Sequence, residues 1–424
     1  IETEEKVKKQ KIKIHYNITL EPPYTNDTLT YPAISDSITW YLSQHKTESL
    51  IKKGDQYKLE NLKNERIRLS DVLRNEGFYY FSPEYLYFRV DTFKNERFMK
   101  LQLALKEDTP LEATKIYAIN NIYLYHDHSM NDTVKKDTIY SGGIHHLFSK
   151  EPKVEPEVLQ RSVFIHPGDR YNAEAYKATL NKLSNLGVFK FVRIDYRNAE
   201  DEEKPKLDVH TYLTSASSKS LRAEVQAVSK SNDFAGPGIK LSYRNRNLLK
   251  NATVLLLSIN SAFETQLFNT EKSRSSFELG TSLELEIPGL IFPLYDATHL
   301  ISKKFSPETR LRVGYNYSDR SNFLTTNSFD LRYGYDWQET KTKKHALDLV
   351  SVNYVVIKVP DKSDIEDYIH NRDLREKFIF SLRYDYTINN IMIMNKNIHS
   401  YFNFSTEFAG NSLALMNSLI NDHH

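Results

Sequence analysis

Four histidines grouped in one segment come nearest, by residue type and spacing, to a site that does chemistry. His126 and His128 flank Asp127, and His145 and His146 follow in the same polar stretch. Imidazole and carboxylate groups at short spacings are ligands that Zn²⁺ accepts. The stretch that carries them, at about 126–156, is predicted to be a solvated loop inserted into a domain. We therefore predict no metal site there.

No other arrangement of side chains predicts catalysis. The sequence lacks Gly-x-Ser-x-Gly, His-Glu-x-x-His, a phosphate-binding loop and a dinucleotide-binding fingerprint. It contains no cysteine, which excludes disulfides and thiolate-bound metals. The sequence therefore predicts a protein that is not an enzyme and that binds no cofactor.

The composition further narrows the classes of protein to which this sequence can belong. The 57 basic and 55 acidic residues leave a net charge of +2, which predicts no nucleic-acid partner. No run approaches the roughly 20 apolar residues that a membrane helix needs, so any membrane-spanning part must consist of strands. The first residues, IETEEKVKKQ, do not have the pattern of a signal peptide. Tyrosine and phenylalanine are abundant, at 28 and 22 residues.

From residue 219 onward, apolar side chains occupy every second position in nine segments. In SFDLRYGYDWQET, for example, Phe329, Leu331, Tyr333, Tyr335 and Trp337 alternate with charged or small residues. A period of two predicts β-strands with one apolar face. The nine predicted strands begin near residues 219, 239, 255, 277, 311, 328, 350, 378 and 402.

Two environments suit a strand with one apolar face: a soluble sandwich and a barrel in lipid. The segments span about 9 to 16 residues, whereas sandwich strands usually have about 5 or 6 and tilted membrane strands about 9 to 11. The second face mixes Glu, Asp, Arg, Lys, Asn and Gly, which is typical of a water-filled lumen. The pattern favours the membrane barrel over the sandwich.

Residues 1–217 differ, because helical and strand-like segments alternate there. A Gly-Asp-x-Tyr motif occurs twice, with Gly54, Asp55 and Tyr57 in one copy and Gly168, Asp169 and Tyr171 in the other. A helix follows each motif and ends at a glycine, which is Gly77 in the first copy and Gly187 in the second. A strand follows each helix, and in the second copy it begins at Phe189. Each copy has the element order β-α-α-β-β, which indicates an internal repeat.

The helices of the two copies have recognisable faces and ends. An apolar stripe in the first copy comprises Leu59, Leu62, Leu69, Val72 and Leu73. In the second copy, Asn172 precedes the helix as a predicted N-cap. The predicted domains are 25–109 and 110–217, with 1–24 as the last strand of a preceding unit and 218–424 as the strand series.

The repeat with its Gly-Asp-x-Tyr turn and its helix ending in Leu-Gly-Val-Phe-Lys resembles the POTRA domain. Two such units ahead of a strand series resemble the POTRA-plus-barrel superfamily of outer-membrane assembly proteins, of the BamA and TamA type. GIKLSYRNRNLLKNATVLLLSIN looks like the early barrel strands of that family. The Bacteroidota lipoprotein branch TamL is the most similar, through LIKKGDQYKLENLKNERIRLSDVLRNEGFYYFSPEYLYFRVDT, RVGYNYSDRSNF, YGYDW and STEFAGNSLA.

The resemblance implies a barrel of about sixteen strands in a bacterial outer membrane, with POTRA domains in the periplasm. It implies unfolded outer-membrane client proteins and a TamB-like inner-membrane or periplasmic partner, or accessory assembly subunits. Nine strands do not complete such a barrel, and the sequence ends at NDHH without the lumen-loop motif of the family. We expect the remaining strands to lie outside this sequence. The lipidated cysteine of the TamL branch is absent, so a lipid anchor is not carried over.

The function that the resemblance implies is insertion of client proteins through a seam beside the first barrel strand. In that strand, KSLRAEVQAVS, the residues assigned to the seam are Leu221, Ala223, Val225 and Ala227. Small side chains at Ala223 and Ala227 suit weak pairing at the seam, and they equally suit a crowded barrel wall. Two other functions stay open: a secretion pore of the two-partner type, and a soluble β-sandwich adhesin.

Overall fold

The computed structural model of the chain describes residues 2–8, 11–17, 22–31, 36–93, 97–128, 137–149, 151–200, 205–229, 234–266, 275–291, 307–321, 324–359, 376–391 and 399–410. The sequence end at NDHH lies outside these ranges. Within them, no helix is long and apolar enough to cross a membrane.

The first described residues form a hairpin rather than one strand. Strands β1 (Glu2–Lys8) and β2 (Lys11–Asn17) pair antiparallel, with Val7 opposite Ile12. Only β2 was predicted, because β1 has a single apolar residue among charged ones and gives no period-two signal. Assignment of this hairpin to a preceding domain stays a prediction.

The first repeat has the predicted order β-α-α-β-β. It comprises β3 (Thr25–Thr30), α1 (Asp36–Gln44), α2 (Leu59–Asn75), β4 (Leu86–Phe93) and β5 (Phe98–Leu105). The sheet order is β3-β5-β4, in which β3 is parallel and β4 antiparallel to β5. Its main core cluster is formed by both helices and the sheet, and consists of Ile38, Leu42, Leu69, Leu73, Phe78, Phe81, Leu86 and Leu103.

Helix α2 departs from the predicted stripe at two positions. Leu59, its first residue, is exposed, whereas Glu65 is fully buried. The Glu65 carboxylate accepts hydrogen bonds from the Arg68 guanidinium, at 2.7 and 2.9 Å, and from the Leu50 N–H, at 3.0 Å. A buried carboxylate is tolerated when it is paired and hydrogen-bonded in this way, and a hydrophobic pattern does not reveal such pairing.

The second repeat has the same order with an addition. It comprises β6 (Ala118–Tyr125), β7 (Asp137–Ser141), β8 (Ile144–Phe148), α3 (Pro156–Gln160), α4 (Ala173–Asn185), β9 (Phe189–Asn198) and β10 (Lys206–Ser215). The sheet order is β7-β8-β6-β10-β9. Strands β6, β10 and β9 are therefore arranged as β3, β5 and β4 are in the first repeat. The prediction of a solvated loop at 126–156 is therefore wrong for its described part, which adds two strands to the sheet.

The nine strands predicted after residue 219 are confirmed. They are β11 (Lys219–Ser229), β12 (Phe234–Leu248), β13 (Thr253–Gln266), β14 (Ser275–Pro288), β15 (Glu308–Arg320), β16 (Leu324–Gln338), β17 (Lys343–Lys358), β18 (Glu376–Asn389) and β19 (Tyr401–Ala409). They form one antiparallel sheet in sequence order. The fold class is thus α+β repeats followed by a large antiparallel sheet.

The chain divides into two compact units. One comprises Ile1–Asn121, Ile165–Tyr176 and Tyr196–Val209, and the other comprises Ile122–Phe164, Lys177–Asp195 and His210–His424. Parts of the second repeat belong to each unit. The domain limits predicted from the sequence stay a prediction.

Replacing Gly77 with alanine is expected to destabilise the first repeat by about 2 to 4 kcal/mol. Gly77 follows α2 with a φ of +108°, and an added Cβ would lie 2.7 Å from Ile116 Cγ2, so strain and overlap combine. Gly54→Ala is the matched control, since Gly54 has a φ of +86° but open space around a Cβ. Local unfolding measured by hydrogen exchange in α2 and β5 checks this, and equal effects of the two variants would contradict it.

Candidate functional site

One face of the nine-stranded sheet is apolar across its whole width. Residues directly opposite one another in antiparallel strands share a face. A single row of such partners crosses eight strands: Leu221, Tyr243, Leu257, Leu283, Val313, Leu331, Val352 and Phe380. We call this row, together with the other apolar residues on the same face of the nine strands, the apolar belt; β19 joins it through Phe408, which lies opposite Leu382.

The apolar belt is uncovered over most of its described length. Leu283 is 38 % exposed, Leu331 39 % and Val225 81 %. Phe329 and Phe404 are also exposed. The inner face of a sandwich is buried against a second sheet, and these side chains are not. The described sheet therefore presents a broad apolar surface to its surroundings, and surfaces of that size mark contact with protein or membrane.

The opposite face is polar and carries ion pairs between strands. Arg310 lies 3.2 Å from Asp336 and 3.6 Å from Asp348, and Arg312 lies 3.6 Å from Asp330. Gly314 leaves space for one of these carboxylates, since a Cβ there would lie 2.1 Å from the nearer Asp330 oxygen. These charges are partly exposed, as expected of a face in contact with water.

The predicted seam residues lie on an edge of this sheet. Strand β11 pairs with β12 over its full length and has no other neighbour among the strands that the structure describes. Leu221, Ala223, Val225 and Ala227 are all exposed and all belong to the apolar belt face. The structure thus brings these four residues together, and their role in a seam stays a prediction.

The backbone N–H and C=O groups of the same four residues point to the free edge of β11. The Arg246 N–H donates to the Ser218 carbonyl at 2.7 Å, which identifies Ser218 and Arg246 as a hydrogen-bonded pair. Hydrogen-bonded and non-hydrogen-bonded pairs alternate along antiparallel strands. Counting in twos from that pair, Leu221, Ala223, Val225 and Ala227 fall in non-hydrogen-bonded pairs. Their N–H and C=O groups therefore point away from β12.

Strand β12 has a weak point opposite the end of β11. Pro237 faces Ala227, and the β12–β13 ladder is interrupted between Ala235 and Gly238. By the same alternation, the Pro237 nitrogen points to β13, where it has no hydrogen to donate. The first hairpin is therefore less firmly paired with the rest of the sheet at this end.

The turn between β12 and β13 is held by the segment that follows β8. Lys250 Nζ lies 2.6 Å from Glu151, the Glu155 N–H donates to the Lys250 carbonyl at 2.9 Å, and the Asn247 amide donates to the Lys153 carbonyl at 2.6 Å. Leu249, Lys250 and Ala252 have φ values of 60°, 57° and 61°, which are strained for side-chain-bearing residues. Such strain persists where surrounding contacts impose it. We call these contacts of the β12–β13 turn with residues 151–155 the clasp, and no local sequence pattern predicts them.

The two Gly-Asp-x-Tyr turns have the same backbone bonding to the first strand of their repeat. Gly54 N–H donates to the Asn26 carbonyl, Asn26 N–H to the Asp55 carbonyl and Tyr57 N–H to the Tyr24 carbonyl, at 2.8, 2.9 and 2.8 Å. The second copy has the same bonds at 2.8, 2.7 and 2.9 Å, in the pairs Gly168 and Ile119, Ile119 and Asp169, and Tyr171 and Tyr117. Both aspartate side chains are exposed, so the motif acts here through its backbone.

The motif tyrosines have different surroundings. Tyr57 packs on a core cluster of its own repeat, whereas Tyr171 is buried beside Tyr79 and accepts a hydrogen bond from Arg74 at 3.2 Å. Burial raises the pKa of the Tyr171 hydroxyl. Tyr171 thus joins the second repeat to the end of α2 in the first. Asn172 caps α4 as predicted, accepting from the Ala175 N–H at 2.8 Å.

The helices of both repeats end at the predicted glycines. Gly77 and Gly187 follow α2 and α4 with positive φ values of 108° and 70°. Phe189 is the first residue of β9. These positions shape the repeat, and their assignment as functional residues stays a prediction.

The histidines of the insertion form a buried pair. His126 Nε2 and His146 Nδ1 are 2.9 Å apart, so one ring donates a hydrogen bond to the other. Both rings are buried, and His146 lies on β8 opposite Leu124 of β6. Burial, together with the neighbouring His146, lowers the pKa of His126 to about 4. Within the described ranges no group of three or more potential metal ligands occurs.

Acidification is expected to loosen the β7–β8 hairpin. When the β7–β8 hairpin is detached from β6, His126 has its ordinary pKa of 6.5, whereas in the paired sheet its pKa is about 4. Between these values only the detached state takes up the proton, so the stability of docking falls as pH drops, by about 3 kcal/mol at pH 4. Hydrogen exchange of residues 137–148, corrected for intrinsic rates, checks this. The double variant His126→Phe, His146→Leu should lose the pH dependence, and equal protection of the unsubstituted protein at pH 5 and 7 would contradict it.

The repeats differ in how the edge of their first strand is covered. The motif turn covers the start of that strand in both. In the second repeat, β8 also runs parallel to the end of β6, with Tyr123 opposite His145 and Tyr125 opposite Leu147. In the first repeat, β3 ends the sheet order, and no strand of the described chain lies along it. An extended polypeptide therefore has a free edge at β3 but not at β6.

Comparison with known proteins gives only distant structural similarity. No family model and no curated protein matches the sequence. Among solved structures, BamA from Haemophilus ducreyi lacking POTRA domains 1-3 has 9 % identity and a TM-score of 0.38, over 93 % of this chain and 89 % of that one. CdiB from Acinetobacter baumannii has 11 % identity and a TM-score of 0.31, over 92 % and 70 %. Similarities of this size do not carry an assignment, which must come from the geometry described above.

Proposed function

We propose that this chain is part of a non-enzymatic outer-membrane assembly protein of the POTRA-plus-barrel superfamily, which inserts client proteins into the membrane. The observation that carries the proposal is the exposed apolar belt across nine strands, backed by a polar, ion-paired face. Strands β12 to β18 have 13 to 16 residues each, and about 9 to 11 suffice to cross a bilayer. In this proposal the belt faces lipid, and the polar face lines a lumen completed by further strands.

The free edge of β11 supports the insertion step. Hydrocarbon offers no partner for backbone N–H and C=O groups, so each unpaired group there costs several kcal/mol. An incoming client strand that pairs with the outward-pointing groups of Ala223 and Val225 avoids that cost. The client then enters lipid with its backbone satisfied, and pairing through the backbone selects little for client sequence.

The two repeats supply periplasmic docking in this proposal, with different roles. The uncovered β3 edge of the first repeat suits addition of an extended client segment. The second repeat has its own β8 on the corresponding edge, and its clasp on the β12–β13 turn suits a fixed attachment to the sheet. A TamB-like partner, or accessory subunits, and membership of the TamL branch belong to the proposal through the sequence resemblance alone.

Two measurements on the full-length protein test the proposal. A membrane barrel migrates faster in SDS gels unboiled than boiled, whereas a soluble adhesin does not show this and is extracted without detergent. Depletion followed by a census of outer-membrane proteins tests the activity. Loss of many integral barrel proteins supports an insertase, whereas loss of one secreted client with the membrane proteome intact identifies a two-partner secretion pore and refutes the proposal.

A further inference from the structure

The chain leaving β14 folds back onto the face of the apolar belt. Thr309 Oγ1 donates to the Gly289 carbonyl at 2.9 Å and accepts from the Ile291 N–H at 2.9 Å. The Tyr335 hydroxyl donates to the Ile291 carbonyl at 3.0 Å, and the Tyr333 hydroxyl donates to the same oxygen. Thr309 and Tyr335 lie opposite each other on the belt face. Residues 289–291 therefore lie over the outside of β15 and β16.

This segment changes the exposure of the belt locally. Tyr335 is 2 % exposed although its belt neighbour Leu331 is 39 % exposed, and Leu290 is buried as well. Ile291 remains 47 % exposed. An apolar side chain is thus held on the outside of the sheet, beyond the end of strand β14.

Residues 289–291 lie at the end of the sheet where β14 ends and β15 begins. β11 starts at this end, and the connections 249–252 and 339–342 lie there too. Membrane barrels usually have short turns on the periplasmic side, but the connection at 289–307 is much longer. Its sequence after Ile291, Phe-Pro-Leu-Tyr, is uncharged; those residues lie outside the described ranges.

We propose that Ile291, next to the buried Leu290, forms an anchor that contacts lipid at the boundary between headgroups and acyl chains on the side of the membrane where β11 begins. This rests on the proposed function, in which the belt faces the bilayer. Irregular backbone at membrane depth requires that its polar groups be satisfied. The Ile291 N–H and C=O are both satisfied, by Thr309 and by two tyrosine hydroxyls, while its apolar side chain is left outward. Tyr333 and Tyr335 suit the same boundary, because their rings are apolar and their hydroxyls have a hydrogen-bond acceptor in the Ile291 carbonyl.

These 424 residues contain no cysteine, so single-cysteine labelling tests the anchor directly once any cysteine elsewhere in the full-length protein is replaced by serine. Ile291→Cys, labelled with an environment-sensitive fluorophore in the full-length protein, is reconstituted into phosphatidylcholine vesicles with brominated or unbrominated acyl chains. Leu331→Cys in the belt and Leu249→Cys, which is 77 % exposed on the β12–β13 turn at the same end, serve as controls. Bromine is expected to quench the labels at 291 and 331 and to leave that at 249 unchanged. The label at 291 should respond most to bromine near the headgroup.

The outcomes separate this inference from the proposed function. Quenching at 331 without quenching at 291 overturns the anchor and leaves the membrane sheet in place. A blue-shifted but unquenched label at 291 also overturns it, since a protein partner then covers the segment. No quenching at either position refutes the proposed function itself. In the Tyr333→Phe, Tyr335→Phe double variant, the anchor predicts weaker quenching at 291 and unchanged quenching at 331.

Discussion

Leu283→Arg is expected to destabilise the sheet in lipid by about 2 to 4 kcal/mol, the cost of an arginine on the lipid-facing side near the bilayer midplane. Leu283 lies near the middle of β14, between Leu257 and Val313 on neighbouring strands, and is 38 % exposed. In a water-soluble protein, a charge at so exposed a position changes stability by only about 0.5 kcal/mol. The size of the effect therefore reports the surroundings of the apolar belt. Denaturant titration in phospholipid vesicles measures it.

The adjacent residue supplies a matched control. Ser282 lies on the polar face opposite Gly314, beside the Asp330 carboxylate, which can pair with an introduced cation. Ser282→Arg should therefore fold within about 0.5 kcal/mol of the unsubstituted protein. Equal, small effects of the two variants would show that the apolar belt does not face hydrocarbon, and the proposed function would fall.

Ala223→Pro is expected to slow client insertion by about tenfold or more while the protein still assembles. The Ala223 N–H points away from β12, so proline there leaves the β11–β12 ladder intact and removes one donor from the free edge. One pairing group lost in hydrocarbon costs several kcal/mol, and each 1.4 kcal/mol in a barrier changes a rate about tenfold. Insertion of an unfolded outer-membrane protein into vesicles containing the full-length protein measures this rate.

Glu224→Pro distinguishes the free edge from general damage to the strand. Glu224 is paired with Lys240 in a hydrogen-bonded position, so proline there removes a ladder bond to β12 and should reduce assembly itself. Heat-modifiable migration monitors assembly of both variants. If Ala223→Pro inserts clients at the normal rate, the free edge of β11 takes no part in insertion, and Leu221, Ala223, Val225 and Ala227 are wall residues only.

Local patterns in the sequence were sufficient for most elements. The alternation in KSLRAEVQAVS predicts the bounds that β11 has, and the glycines after α2 and α4 mark the helix ends. Alternation places side chains on one of two faces of a strand, and a positive φ favours glycine; both are properties of a few consecutive residues. The nine strands, the repeat order and the apolar face were therefore predictable without knowledge of their partners.

Tertiary structure alone decided which backbone groups and side chains meet. The insertion sequence is polar, yet His126 and His146 are buried because β8 pairs with β6, a contact between segments that no local pattern encodes. The outward direction of the Ala223 amide depends on the register with β12. The clasp at Lys250 and the covering of Tyr335 by Ile291 depend on chain paths between distant residues. Periodicity is local, whereas register and burial follow from pairing across the fold, so the sequence predicted the strands and the structure located the edge, the clasp and the anchor.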